Sequence, residues 1–196
     1  MLLKRLAFAL LLAGAALCPH PWAHAATRQG APVQVCVLAP RVEPVDEGDA
    51  FGEVPVAAPT LLVLEPLQLV RFESLEGRLL WSRRAAAGRS LPAPLPWPVA
   101  PLRPGQQVVL RLQPLGAADD AFAHVRLQAA GPAAMAATAA LMQTLGGRVD
   151  AWMAAINRAL EAGDVPLAWA LLYAPQAPAS AALQDLRQEV WRRGCG

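Results

Sequence analysis

Residues 102–129, LRPGQQVVLRLQPLGAADDAFAHVRLQA, decide the fold class of this chain. Apolar and polar residues alternate over 107–113 and again over 122–129, and successive side chains of a β-strand point to opposite faces. A Pro-Gly turn precedes the first run, and residues 116–120 form a loop between the two runs. The segment therefore predicts two antiparallel strands that bury one face. The residues expected on that face are Val108, Leu110, Leu112, Ala123, Val125 and Leu127.

The stretch before this hairpin predicts further short strands. Residues 60–64 form a continuous apolar run, residues 67–73 a second strand, and residues 78–83 its partner after a Glu-Gly turn. Residues 90–101 contain five prolines, which cannot donate to a strand ladder. We expect this segment to follow an edge or to cross between strands, with Trp97 anchored in the core.

Two short motifs resemble a known superfamily. Residues 102–105, LRPG, directly before an alternating strand, resemble the corner between strands E and F of fibronectin type III and other immunoglobulin-like domains. Residues 77–81, GRLLW, are similar to their C–C′ region. Val108 stands where that superfamily carries a corner tyrosine. The resemblance implies a β-sandwich over residues 59–129 and no particular activity, since such folds host many functions.

The N-terminal part of the chain is less regular. Residues 33–38, VQVCVL, alternate and predict one strand. Residues 41–53 then carry five carboxylates together with a proline and two glycines, so we expect a solvated acidic loop. An EF-hand calcium site needs ligands at alternate positions, a central glycine and a closing glutamate, and this spacing does not match.

From Gly131 onward the apolar period becomes helical. Residues 133–145 predict one helix that ends at a Gly-Gly pair. Asp150, Asp164 and Ser180 are each expected to cap a further helix, because short polar side chains accept hydrogen bonds from the first free N–H groups of a helix.

The N-terminus has the three parts of a secretory signal. Lys4 and Arg5 precede an apolar run over residues 6–17, and residues 23–25, AHA, fit a cleavage site. The apolar run is shorter than the roughly 20 residues that span a bilayer. We therefore expect cleavage before Ala26 and a bacterial periplasmic or secreted protein with no transmembrane segment in its mature form.

Removal of this signal changes the inventory of the chain. Lys4 and Arg5 are two of 17 basic residues, so 15 remain against 15 acidic residues and the formal charge falls from +2 to about zero. Nucleic-acid-binding proteins are typically basic, so no nucleic-acid partner is expected. The mature chain keeps Cys36 and Cys195, which in an oxidising compartment predict one disulfide. Free or intermolecular thiols are the alternative.

Catalytic motifs are missing from the sequence. His124 is the sole histidine after residue 25, and no serine lies in a Gly-x-Ser-x-Gly turn, so neither a Ser-His-Asp triad nor a histidine zinc site is expected. A hairpin turn explains the adjacent pair Asp119-Asp120. We expect no catalytic, cofactor-binding or metal-ligating residues. A hydrolase that uses the acidic loop or Asp119 and Asp120 is the least favoured alternative.

Tryptophans and arginines mark the expected contact surface. Exposed tryptophans anchor protein partners or stack on sugars. The residues expected to contact a partner are Trp81, Arg83 and Arg84 on the hairpin and Trp191 and Arg192 on the last helix. The favoured function is an exported, non-catalytic protein-binding or envelope-assembly module. A carbohydrate or peptidoglycan-fragment binding domain is the alternative, and it requires exposed tryptophans along one groove.

The patterns together predict an α+β protein, an immunoglobulin-like antiparallel β-sandwich followed by a small C-terminal helical region. The expected organisation is a signal peptide (1–25), an N-terminal strand and acidic loop (26–58), the sandwich (59–129) and the helical region (130–196). No cofactor is expected, and the expected partner is an envelope protein.

Overall fold

A computed structural model describes residues 33–46 and 49–194 of the chain. The expected signal peptide and Cys195 lie outside these residues. The described residues form eight strands and four helices. The strands are β1 (Val37–Ala39), β2 (Glu43–Asp46), β3 (Asp49–Val54), β4 (Leu62–Val63), β5 (Leu67–Glu73), β6 (Leu79–Arg84), β7 (Gln107–Pro114) and β8 (Ala123–Ala129). The helices are α1 (Pro132–Leu145), α2 (Val149–Glu161), α3 (Val165–Leu172) and α4 (Ala181–Arg193).

The strands form two sheets in a sandwich-like arrangement. Six strands lie in the order β2-β3-β8-β7-β5-β6, and β1 pairs with β4 in a second sheet. Every pair is antiparallel except β3–β8, which is parallel. The α+β class is therefore confirmed, and the strand pairs within residues 59–129 are antiparallel as expected, but β3 from the preceding segment adds a parallel strand to the sheet. The parallel pair joins strands far apart in sequence, and no local pattern indicates such a pairing.

The main hydrophobic core contains residues of both sheets. All six residues predicted on the inward face of β7 and β8 are buried in it, together with Val70 and Phe72 of β5. The alternate side chains, among them Arg111, His124 and Arg126, are half-buried or exposed on the other face, except for Gln113, which is buried and donates to the carbonyl of Ala118 at 2.6 Å. The alternation in residues 107–113 and 122–129 thus assigns the two faces of the sheet correctly.

The small sheet is buried on both faces. Val37 and Val63 belong to the main core, whereas Leu38 and Leu62 pack on the opposite side with Tyr173, which follows α3. A strand that is covered on both faces needs no polar alternation. This burial explains the continuous apolar run before β5.

The segment expected as an acidic loop is instead a β-hairpin formed by β2 and β3. Its glycines and carboxylates are typical of loops, but β3 has a neighbouring strand on each side. Gly52 makes this packing possible, because a Cβ there would lie 2.5 Å from the carbonyl oxygen of Arg41 and 2.9 Å from Cγ1 of Val42. The glycine therefore serves a close backbone approach within the sheet and not a loop.

The substitution Gly52→Ala is expected to lower the free energy of unfolding by about 1–3 kcal/mol, because the new methyl group overlaps backbone that cannot move without disturbing β3. Urea denaturation measures the loss. Gly147→Ala is the matched control, since nothing lies within 4 Å of a Cβ at that position. Equal denaturation midpoints for Gly52→Ala and the unmodified protein would contradict this expectation.

The helices begin where their capping residues predict, with one exception. The side chains of Asp164 and Ser180 accept hydrogen bonds of 3.1 and 3.2 Å from the N–H groups three residues later. Asp150 does not cap α2; Arg148 is the N-cap residue, and Asp150 lies in the first turn, where the helix dipole favours a carboxylate. None of the helices in the described part of the chain is both long and apolar enough to cross a membrane.

The helical region has its own core and is bonded to the sheets. Trp152 is fully buried at its centre, and its indole N–H donates to the carbonyl of Gly146 at 2.8 Å. The hydroxyl of Thr60, just before β4, donates to the carbonyl of Tyr173 at 3.0 Å. The helices therefore pack against the small sheet, and α3 also contacts β3 of the six-stranded sheet.

Candidate functional site

Strand β6 is an open edge of the six-stranded sheet. It is last in the strand order and pairs with β5 alone among the described strands. Every residue of β6 except Trp81 is exposed, including Leu79 at 55% and Leu80 at 36%. Proteins usually protect such edges, because the free N–H and C=O groups pair readily with another chain.

The residues predicted on this hairpin do not share one face. Trp81 is paired with Phe72 and Arg83 with Val70, so both lie on the face that carries the core. Arg84 is one position further along and lies on the opposite face, because adjacent side chains of a strand alternate. The three residues predicted to contact a partner therefore lie on two faces of the sheet, and the feature that they share is the edge strand itself.

Trp81 is held by aromatic packing. Its ring meets Phe72 edge-to-face at a centroid distance of 5.7 Å, and Trp97 meets the same ring at 4.9 Å. The anchoring predicted for Trp97 is confirmed by this contact. Trp81 stands at the rim of the core with part of its surface in solvent, and Phe72 fixes its orientation.

The hydrogen bonds of β6 show which backbone groups face outward. The N–H of Ala85, directly after the strand, donates to the carbonyl of Gln68 at 2.8 Å. In an antiparallel edge strand, every second residue directs its N–H and C=O groups toward the neighbouring strand, and the residues between them direct these groups away from it. The backbone N–H and C=O groups of Trp81 and Arg83 therefore point toward β5. Those of Ser82 and Arg84 point toward the open edge.

The second part of the predicted surface lies at the end of α4. Trp191 is 47% exposed and shares a small cavity with Leu67 and Leu91. Leu67 begins β5, and Leu69 on the same strand is paired with Arg84 of β6. The structure thus places Trp191 and the Arg84 end of β6 at the same end of β5.

Arg192 is less available to a partner than the sequence suggested. It forms an ion pair with Glu189, and Arg193 binds the other oxygen of that carboxylate at 2.7 Å. The hydrogen bond from Arg193 and the charge of Arg192 hold the pKa of Glu189 below its usual value. Arg83 and Arg84 form no ion pair with any described residue, so they are the cations free to meet a partner.

A polar row crosses the outer face of the sheet. Arg111 donates to Glu73 at 2.7 Å and lies 2.9 Å from Nε2 of His124, whose Nδ1 is 3.3 Å from Asp49. Arginine can only donate, so Nε2 accepts and Nδ1 donates to the carboxylate. Both ring nitrogens of His124 are thus engaged in this polar row.

The acidic residues considered for a hydrolase do not come together in one site. Asp119 and Asp120 are exposed in the turn between β7 and β8 and line neither the cavity beside Trp191 nor the two cavities beside α1, whereas Glu53 of the acidic segment lines both cavities beside α1. Among the residues that the structure describes, no group of three or more His, Cys, Asp and Glu side chains could hold a metal ion.

The described tryptophans do not line one common groove. Trp152 is buried, and Trp81 and Trp97 pack on Phe72. Trp169 and Trp191 line two different cavities, and neither cavity contains a second tryptophan. The row of stacking platforms that a carbohydrate groove requires is therefore not formed by the five described tryptophans.

A groove of about 690 Å³ lies between α1, α3 and the segment that joins β3 to β4. Its lining is mainly apolar, with Met135 and Met142 from α1 and Trp169 and Tyr173 from the α3 side. Burial raises the pKa of the Tyr173 hydroxyl, and the charge of Arg187 partly opposes that rise. No pattern in the sequence predicted this groove. The helical spacing of the methionines and of the aromatics was visible, but which face the two helices share depends on their packing.

Comparisons with known proteins give no relative for this chain. No protein-family model matches it, and no curated protein or solved structure is significantly similar.

Proposed function

We propose that this chain is an exported, non-catalytic binding module that takes up an extended segment of an envelope protein at the open edge of β6. The observation that carries the proposal is this edge strand, with two exposed leucines, outward backbone groups and no covering element among the described residues. Strand addition is a common way in which sheet edges bind peptides, since the main chain supplies affinity and alternate side chains supply specificity.

The charged residues of β6 indicate which side chains the partner segment would carry. Arg83 and Arg84 flank the outward edge without acidic partners, and Leu79 and Leu80 supply the apolar contacts. The complementary segment is an extended stretch of apolar residues next to aspartate or glutamate. Rim charges of this kind mainly speed association and select the partner.

The strand order supports an immunoglobulin-like assignment for the sandwich. If the hairpin β5–β6 corresponds to C–C′ and the strand after the LRPG corner to F, the order β8-β7-β5-β6 reads G-F-C-C′. The LRPG corner is a turn in which the N–H of Gln106 donates to the carbonyl of Arg103 at 2.9 Å. The two-residue strand β4 and the parallel strand β3 depart from the simplest form of that fold.

The proposed location rests on the N-terminal sequence. Its positive residues, its short apolar run and its small-x-small site are those of a cleaved secretory signal. A periplasmic protein without enzymatic residues and with an open sheet edge is suited to hold or assemble other envelope proteins. Cleavage before Ala26 is testable by mass spectrometry of the protein purified from the envelope.

The substitution Ser82→Pro tests the edge directly. Proline removes one outward N–H and is tolerated where a strand N–H faces solvent, so folding is expected to persist. The immobilised mature protein is expected to capture an envelope partner, and Ser82→Pro is expected to weaken that capture about tenfold, the equivalent of one net backbone hydrogen bond.

Ser82→Ala is the matched control, because it removes the side chain and keeps the N–H. It is expected to bind like the unmodified protein, while Trp191→Ala reports whether the end of α4 takes part. Capture of the same partner with equal affinity by Ser82→Pro would overturn the assignment of this edge, provided that the melting curves of both variants agree.

A further inference from the structure

The groove between α1 and α3 has the form of a small-molecule site. Its volume of about 690 Å³ lies within the usual range for ligand pockets, which are mainly apolar with a few polar groups. The long, unbranched side chains of Met135 and Met142 adapt to irregular ligands, as methionines commonly do. Trp169 and Tyr173 supply aromatic surface on the opposite wall.

Helix α1 leaves apolar surface toward this groove. It contains no charged residue, and only Thr138, Met142 and Leu145 are buried. A helix that is apolar on all sides is normally covered. Ala139 is exposed and lines the groove, so its face of α1 gains burial if a ligand occupies the site.

The charges around the groove select the head group of the ligand. No lysine, arginine or histidine lines it, and its one carboxylate is the exposed Glu53. Two arginines lie behind its walls: Arg41, 6.0 Å from the centre of the Trp169 ring, is paired with Glu43 at 3.0 Å, and Arg187 donates to the carbonyl of Leu172 at 2.8 Å. Glu53 also lines an adjoining cavity, whose lining contains a second carboxylate, that of Asp164. Neither forms an ion pair with a described residue.

We propose that this groove binds a small cationic amphiphile, with its apolar chain between α1 and α3 and its ammonium or guanidinium head next to Glu53. The apolar walls supply most of the affinity through burial of the chain. Glu53 supplies the preference for positive charge, because an anionic head placed there would meet like charge. The site is separate from the β6 edge and does not depend on the proposed strand addition.

Three decyl compounds with different heads test the proposal. Decyltrimethylammonium, decanol and decyl sulfate are titrated into the mature protein below their micelle concentrations and followed by calorimetry. The cationic compound is expected to bind about tenfold more tightly than decyl sulfate, with decanol between them. Equal affinity for the three compounds, or no binding of decyltrimethylammonium, would overturn the proposal.

Two sets of variants distinguish the part of the groove that holds the apolar chain of the ligand from the part that holds its charged head group. Glu53→Gln is expected to bring the affinity for decyltrimethylammonium down to that for decanol and to leave decanol unchanged. Ala139→Phe is expected to block all three compounds, whereas Ala136→Phe, on α1 outside the groove lining, is expected to block none. If Ala139→Phe and Ala136→Phe had equal effects on binding, with unchanged melting curves, the compounds would not bind in the groove. Partner capture at β6 is expected to stay the same in all these variants.

Discussion

Replacing Phe72 with alanine is expected to lower the free energy of unfolding by about 3–5 kcal/mol, the usual loss when a buried aromatic ring is removed from a core. Phe72 is fully buried on β5 and makes edge-to-face contacts with Trp81 and Trp97. The substitution removes the burial of the ring and both aromatic contacts together. Urea denaturation followed by circular dichroism measures the loss.

Phe122→Ala is the control for this prediction. Phe122 is half-buried next to β8, and the guanidinium of Arg71 lies 5.2 Å from the centre of its ring. Removal of this ring is expected to lower the free energy of unfolding by about 1 kcal/mol or less, because a surface cation–π contact contributes little stability. Similar losses for the two variants would contradict the central position assigned to Phe72.

Phe72 also connects the core to the proposed binding edge. A double-mutant cycle of Phe72→Leu with Trp81→Leu is expected to show a coupling of about 0.5–1.5 kcal/mol, the value typical of aromatic pairs. Additive effects would mean that the two rings do not stabilise one another, and that Trp81 is oriented by other contacts.

Reduction of the mature protein is expected to lower its free energy of unfolding by about 2–5 kcal/mol, if Cys36 and Cys195 form the predicted disulfide. Such a bridge would close a loop over most of the mature chain and so restrict the unfolded state strongly. The described neighbours support it. Cys36 and Val190 of α4 pack on the same cluster, and a Cβ at Gly194 would lie 3.5 Å from Leu64, whose N–H donates to the carbonyl of Cys36 at 3.0 Å.

Thiol titration and a single variant make this prediction decisive. The unfolded, unreduced mature protein is expected to have no reactive thiol, and Cys36→Ser is expected to have a stability that does not change with reductant. Two reactive thiols in the unreduced protein would show that the cysteines do not pair. A dimer on a non-reducing gel would show that they pair between chains.

The strands with strong alternation were predictable from sequence, because the alternating residues of each strand indicate which side chains point to the core and which point away from it. Residues 67–73 were expected as a strand and form β5 with the same bounds, and the inward residues of β7 and β8 are buried as expected. The caps at Asp164 and Ser180 were equally predictable, since a cap bonds to N–H groups three residues away. All of these features depend on neighbours in the chain.

Features that depend on distant pairing were not predictable. The segment from Glu43 to Val54 has the composition of a loop, yet it forms β2 and β3, because β8 offers a parallel edge and Gly52 allows the close approach to Arg41. The face of Trp81 likewise depended on its register against Phe72 and not on the hairpin sequence.

Local patterns in the sequence were enough to predict the α+β class and the inward faces of the main strands. They also predict a secretory signal, whose removal would leave a neutral and nearly histidine-free chain. These predictions follow from composition and from periods of two and 3.6 residues, which are local properties. The packing of distant elements, in contrast, makes β6 an open edge, brings Trp191 and Arg84 to the same end of β5, and forms the groove between α1 and α3. Edges and grooves arise between elements far apart in the chain, so their positions depend on how the elements pack.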